Sequence, residues 1–143
     1  MTHIQLSIFL ENKAGRLYDV CSFLGEHGVN IRALTVAESD NFGVLRLLVK
    51  DPHATAKLLK DNGFVVNETE VVAVEVDDKP GGLAKILDAI NKHHINVEYM
   101  YGFIEPDARK AMMVFRFDNA QKAATALKDE HIRVVGNKDL GAI

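Results

Sequence analysis

Hydrophobic residues follow two different spacings near the start of the chain. In the segment 3–10 (HIQLSIFL), apolar residues alternate with more polar ones, and this period of two predicts a β-strand. The next apolar residues are spaced i, i+3, i+4 and i+7, at Leu17, Val20, Cys21 and Leu24. That spacing predicts an amphipathic helix with one buried face. Gly28 then follows as a candidate left-handed helix terminator.

The remainder of the first half predicts four more elements. Segments 29–39 (VNIRALTVAES) and 43–51 (GVLRLLVKD) read as strands, and 64–67 (FVVN) as a closing strand. Between them, Asp51 is the expected N-cap of a helix that has Pro52 at its first position and ends at Gly63. The predicted order is therefore β-α-β-β-α-β.

The second half repeats the first. A shift of 66 residues aligns the first helix with one at 83–90, and a shift of 68 aligns the later elements, the longer offset being absorbed by a loop around EPDARK (105–110). The first shift matches Gly15 with Gly81, Asn30 with Asn96 and Leu17 with Leu83. It also puts His94 at the position of Gly28, at some steric cost. Such agreement indicates a tandem duplication.

A β-α-β-β-α-β order in each half predicts an α+β protein of two ferredoxin-like modules. Each module should have an antiparallel sheet with its helices on one face. We expect the modules to span residues 1–68 and 69–143. The predicted boundary has no Gly/Ser-rich spacer, and modules this small bury little surface alone. We therefore expect them to pack side by side.

Composition narrows the functional classes. A net charge of −3 with scattered cations gives no basic face for nucleic acid. No apolar run is long enough for a membrane helix, and the first residues lack a secretory pattern. The single cysteine, Cys21, fits a reducing compartment and a buried, inert position. We expect a cytoplasmic protein without nucleic-acid or membrane partners.

The two strand-to-helix loops, ENKAGRL (11–17) and DDKPGGL (77–83), carry the chemistry of interest. A helix start offers backbone N–H groups without helical acceptors, and these suit an anion such as a carboxylate. Asn12 adds an amide that both donates and accepts, so the loop could hold the carboxylate and ammonium of an amino acid. The alternative is that Gly15 and Gly81 only shape tight turns.

These loops, together with GVNI (28–31) and HINV (94–97), resemble the ACT domain, a small amino-acid-sensing module whose signature is a loop like N-x-P-G-x-L, a helix and an Asn-bearing second strand. The resemblance covers essentially the whole chain as two copies. It implies a ligand held at a module interface, between the Gly loop of one module and the second strand of another. Position by position, it implies the ligand-binding residues Asn12, Ala14, Gly15, Arg16, Leu17, Asn30, Ile31, Asp78, Pro80, Gly81, Gly82, Leu83, Asn96 and Val97.

Two departures from the family pattern make the two sites unequal. Ala14 replaces the usual Pro, which Pro80 keeps, and Asp78 replaces the expected amide. A carboxylate at 78 would repel the ligand's carboxylate and could instead meet its ammonium group. Pairing of the Asn12 loop with Asn96 is therefore favoured over pairing of the Asp78 loop with Asn30.

No catalytic or metal constellation is indicated. Adjacent His93 and His94 diverge, and no His or Cys pair has zinc-site spacing. The aromatic run Tyr99, Tyr101 and Phe103 fits packing better than base stacking. The prediction is a non-catalytic regulatory protein without cofactors or metal. We also expect it to form a homodimer and to act on a separate partner protein. The alternatives are a small enzyme or metal-handling protein on the same scaffold, or a purely structural dimerisation module. Neither the amino acid nor the partner follows from the sequence.

Overall fold

The structure, a computed structural model, describes residues 2–39, 41–104 and 110–136. Most of the predicted EPDARK loop lies outside these residues. The helices and strands, in chain order, are β1 (His3–Glu11), α1 (Arg16–Glu26), β2 (Ile31–Ser39), β3 (Phe42–Val49), α2 (Pro52–Asp61), β4 (Val65–Asp77), α3 (Gly82–Lys92), β5 (Val97–Ile104), β6 (Lys110–Phe117) and α4 (Ala120–Asp129).

The chain divides into two compact units. The first module is Ile4–Thr69, and the second contains His3 and the described residues from Glu70 onward. Strand β4 crosses the division, so a single strand replaces the two that the sequence predicted at 64–67 and at the start of the second half. The prediction of two separate strands was wrong because 65–77 has no Gly or Pro to break it, and extended backbone continues through Asn67.

In the first module, β1 and β2 both pair antiparallel with β3, with Leu6 opposite Leu47. The two helices pack on the face of this sheet that carries the alternating apolar residues. One cluster joins β1, β3 and the two helices, with Leu6, Ile8, Val20, Leu24, Leu45, Leu47, Ala56 and Leu59 at its centre. The predicted antiparallel sheet with helices on one face is confirmed.

The second module repeats this arrangement, with β4 and β5 both antiparallel to β6. Its predicted last strand, 132–136 (IRVVG), is reduced to a bridge between Val134 and Val74. Two backbone bonds flank the bridge, from Glu75 N–H to Arg133 O (3.1 Å) and from Val135 N–H to Ala73 O (2.8 Å). The short pairing still fixes Arg133 beside β4.

The second core is filled by large side chains from the sheet and mostly small side chains from α4. The rings of Phe115 and Phe117 are fully buried and stack with centroids 5.1 Å apart. Helix α4 presents small side chains to the same cluster, namely Ala120, Ala123, Ala124 and Ala126. Large strand residues therefore occupy the space that the small helix residues leave.

The predicted buried faces of α1 and α3 are correct for most residues and wrong for one leucine in each helix. Val20 and Leu24 are fully buried, and Cys21 is half-buried against the first core. By contrast, Leu17 is 43% exposed and Leu87 is 36% exposed. Leu17 lies in the first turn beside the open Gly loop. Leu87 lies about 100° around the helix from Ile86, so the core takes Ile86, Ala89 and Ile90 instead.

Two histidines occupy left-handed backbone positions that glycines occupy in the other module. Gly28 (φ 70°) matches His94 (φ 55°), as predicted, and Gly63 (φ 89°) matches His131 (φ 59°), which the sequence reading missed. Both residues end helices. The Cβ of an L-residue crowds the following carbonyl in this conformation, at a cost of roughly 1–2 kcal/mol.

We expect His94→Gly and His131→Gly each to raise the free energy of unfolding by about 0.5–1 kcal/mol, because the strain is relieved while the unfolded chain gains some freedom. Urea denaturation would measure the change. The matched control is Gly28→Ala, which should lower the stability by a similar amount. A loss of stability in both histidine variants would contradict the strain argument.

Candidate functional site

The two Gly loops have the same backbone. Gly15 and Gly81 precede their helices with φ of 89° and 86°. In each loop the Lys N–H donates to the carbonyl two residues earlier, at 2.9 Å for both Lys13 and Lys79. A side chain at either glycine would be strained, so turn geometry alone accounts for both glycines. Any binding role must therefore rest on what surrounds the loops.

The second loop borders a cavity of about 320 Å³, which we call the α3 cavity. Pro80, Gly81 and Gly82 form one side of it, at the first turn of α3. The N–H groups of Leu83 and Ala84 lie in this first turn and have no acceptor within the helix. The positive end of the helix therefore faces a space large enough for a small metabolite.

The charged lining of the α3 cavity is mixed and positive overall. Lys79, Lys85, Lys110 and Arg133 face only two acids, Glu75 and Asp77. The side chain of Glu75 is 13% exposed and is held between Lys110 (2.9 Å) and Arg133 (2.8 Å). The hydrogen bond to Glu75, followed by its charge, raises the pKa of Lys110, which stays protonated. Lys79 lies 3.9 Å from Asp77 and Lys85 projects from the second turn of α3.

The first loop is more open. Asn12, Ala14 and Gly15 are exposed, and the Asn12 N–H donates to the Asn41 carbonyl at 2.9 Å. Arg16 pairs with Asp19 at 2.9 Å. Lys13 bonds Glu11 at 2.8 Å, and this hydrogen bond lowers the pKa of Glu11. The exposed Leu17 leaves an apolar patch beside these polar groups.

The strand starts lie at the other ends of the helices. Asn30 is exposed at the rim of a second cavity, and Ile31 packs against the first core. Asn96 is exposed, its N–H donating to the Asp118 carboxylate at 3.2 Å, and Val97 packs against the second core. An eleven-residue helix separates each Gly loop from the strand start of its own module, about 16 Å along the axis. Within one module, therefore, the two predicted half-sites do not form one pocket.

Two of the predicted site residues, Gly82 and Leu83, have structural roles. Gly82 is buried, and a Cβ there would lie 2.2 Å from the Asp77 carbonyl oxygen. Leu83 is half-buried in the second core. Asp78 is exposed in the described loop and lies outside the lining of the α3 cavity.

Sequence reasoning missed most of the charged lining of the α3 cavity. Lys85 could have been found, since it follows Gly81 by one helical turn. Lys110 faces Asp77 only because of the β4–β6 register, and Arg133 reaches Glu75 only through the short pairing of 133–135. Neither register follows from the residue pattern alone.

The part of the chain that the structure describes contains neither a metal site nor a membrane-spanning helix. There, no group of three or more His, Cys, Asp or Glu side chains could hold a metal ion. No described helix is long and apolar enough to cross a membrane.

Comparison with known proteins fits the duplicated fold. The structure superposes on that of a Bacteroides thetaiotaomicron protein at 41% identity, with a TM-score of 0.91 over 98% of this chain and 96% of the other. It also matches the regulatory subunit of aspartate kinase from Thermus thermophilus, at 19% identity and a TM-score of 0.63 over 90% of this chain and 91% of that one. The Thermus flavus subunit gives 17% and 0.59, over 90% and 92%. No curated protein matches.

At 19% and 17% identity, the similarities to the two Thermus subunits show a shared fold and nothing further. The family model that describes an ACT domain pair matches residues 1–143, which is the same span as the duplication read from the sequence. The two ferredoxin-like modules of the structure agree with that description. The chain belongs to the family of ACT domain pairs.

Proposed function

We propose that this protein is a non-catalytic regulator that binds a free amino acid at a Gly loop and transmits binding to a separate partner. The observation that carries the proposal is the α3 cavity. It combines a helix N-terminus, an excess of cations and two carboxylates at a loop of the ACT type. A zwitterionic amino acid has complementary groups for both charges.

The ligand's carboxylate would bind at the first turn of α3, near Lys85, where the helix dipole and the lysine act together. Its ammonium group would face Asp77, whose carboxylate is paired only loosely, with Lys110 at 3.8 Å and with Lys79 at 3.9 Å. Glu75 is less available, because Lys110 and Arg133 already hold it. The site therefore orients the ligand by charge.

Contacts from a second-strand start bearing Asn30 or Asn96 on another module, within the chain or in a homodimer, are part of the proposal. The predicted preference for the Asn12 loop facing Asn96 stays a prediction, and the α3 cavity supports the second module's loop instead. A regulatory role is supported by membership in the ACT domain pair family, and by a fold shared with chains named regulatory subunits of aspartate kinase.

A thermal-shift screen of the twenty amino acids tests this proposal. At a hundred times its Kd, a ligand that binds only the folded state adds about 2.7 kcal/mol to the free energy of unfolding. We expect at least one amino acid to raise Tm at millimolar concentration. Lys85→Gln should weaken that response about fivefold in Kd, because one charged hydrogen-bond partner is lost.

The matched control is Lys92→Gln, which removes the same charge from the other end of α3, where Lys92 only pairs with Asp88 at 3.3 Å. It should leave the response unchanged. If no amino acid raises Tm, or if Lys92→Gln weakens the response as much as Lys85→Gln, the proposed site is wrong. Turnover of an amino acid by the purified protein would contradict the non-catalytic role.

A further inference from the structure

The first module has a second cavity, of about 350 Å³, at the N-terminus of α2. We call it the α2 cavity. It lies at the end of α1 opposite the Gly loop. Its polar lining is Asn30, Arg32, Lys50, Asp51 and Thr55, together with His27. The amino-acid proposal uses only Asn30 from this set.

The start of α2 is left open by its own N-cap residue. Asp51 occupies the N-cap position, as predicted, but its side chain makes no capping hydrogen bond. Pro52 has no N–H, and the Thr55 N–H is bonded to the Asp51 carbonyl at 3.0 Å. The N–H groups of His53 and Ala54 therefore have no helical acceptor, and Ala54 lines the cavity.

A buried hydroxyl provides an independent indication of a ligand. Thr55 is 5% exposed and lines the α2 cavity. Its hydroxyl makes no hydrogen bond to any residue that the structure describes, and the oxygen is open to the cavity. A group bound in the cavity could therefore exchange a hydrogen bond with it.

The equivalent positions in the second module carry opposite charges, lack the hydroxyl and have a capped helix. Arg32 corresponds to Glu98, Lys50 to Asp118 and Thr55 to Ala123. Asn119, the counterpart of Asp51, caps α4 by accepting from the Lys122 N–H at 3.0 Å. Both cations thus become acids, the hydroxyl is lost, and the helix N-terminus is closed. The shared fold does not require any of the features of the α2 cavity.

We propose that the α2 cavity binds the phosphate group of a small anion. Lys50 offsets the one acid, Asp51, and the helix N-terminus adds positive potential, while Arg32, which already has an interaction of its own, also lines the cavity. A guanidinium, an ammonium, backbone N–H groups and a hydroxyl together match a tetrahedral dianion better than a planar carboxylate. The volume leaves room for the remainder of a phosphate monoester.

Amide NMR of the full chain tests the proposal, with inorganic phosphate and glycerol 3-phosphate as separate probes. We expect either probe to shift the Ala54 and Thr55 amide resonances. Thr55→Ala, which copies Ala123, and Lys50→Gln should each weaken binding about tenfold. Lys60→Gln, at the other end of α2, is the control and should bind normally. Response to one probe only would assign the free ion or the monoester as the source.

The proposal is overturned if neither probe shifts these amides at millimolar concentration, or if binding is unchanged in both Thr55→Ala and Lys50→Gln. Lys50 is exposed, so its variant remains informative even if Thr55→Ala folds poorly. Amino-acid binding would be followed at Leu83 and Ala84 in the same spectra. The two proposals can therefore fail separately.

Discussion

Gly82→Ala is expected to lower the free energy of unfolding by about 3 kcal/mol, the upper part of the range for overpacking. Gly82 is the first residue of α3, and the new methyl group would lie 2.2 Å from the Asp77 carbonyl oxygen and 3.3 Å from Cγ1 of Val76. The first clash is with backbone, which cannot move without opening the turn that forms the α3 cavity. Helix propensity alone gives the opposite sign, since Ala is favoured over Gly by about 1 kcal/mol.

Gly25→Ala is the matched control, because Gly25 is also helical and a Cβ there meets nothing within 4 Å. It should stabilise the protein by up to about 1 kcal/mol. Chemical denaturation of the two variants gives both signs in one experiment. If Gly82→Ala is also stabilising, the close approach of the loop to α3 is not as described.

Phe115→Ala is expected to cost about 3–5 kcal/mol, as for other fully buried aromatic residues. The lost ring stacks on Phe117 and packs in a cluster in which α4 contributes mainly alanines. Small neighbours cannot reach into the space left, so a cavity remains. Equilibrium unfolding in guanidinium chloride would measure the loss.

Phe42→Ala makes the same substitution at a ring that is 57% exposed at the start of β3. It should change the free energy of unfolding by no more than about 0.5 kcal/mol. Comparable losses from both substitutions would show that the second core does not depend on ring packing.

The fold was predictable because most elements left a local signal that appeared twice. The apolar spacing of α1 and the glycine before it act over a few residues, and the second copy repeats both. The errors arose where neighbouring elements decide the outcome. No local signal distinguishes one strand at 65–77 from two, and the 132–136 segment pairs at a single bridge despite its β-branched residues.

The candidate site was only partly predictable for the same reason. The Gly loops have fixed local geometry, so their positions could be read from the sequence. The pattern did not show that position 82 requires glycine, because the carbonyl that a Cβ would meet there belongs to Asp77, five residues earlier in the folded loop. Lys110 and Arg133 come to the loop through strand register, which depends on contacts distant in sequence.

The carboxylate of Glu75 has a consequence for the proposed sensor. It already lies between Lys110 and Arg133, within 3 Å of both, and so acts as a built-in rival for any carboxylate entering the α3 cavity. A ligand whose carboxylate recruited either cation, in addition to the proposed contact near Lys85, would first have to displace this rival, and the free energy of doing so would be subtracted from its affinity. For such a ligand the proposed response would begin at a higher metabolite concentration, where a protein that reports abundance rather than scarcity would operate.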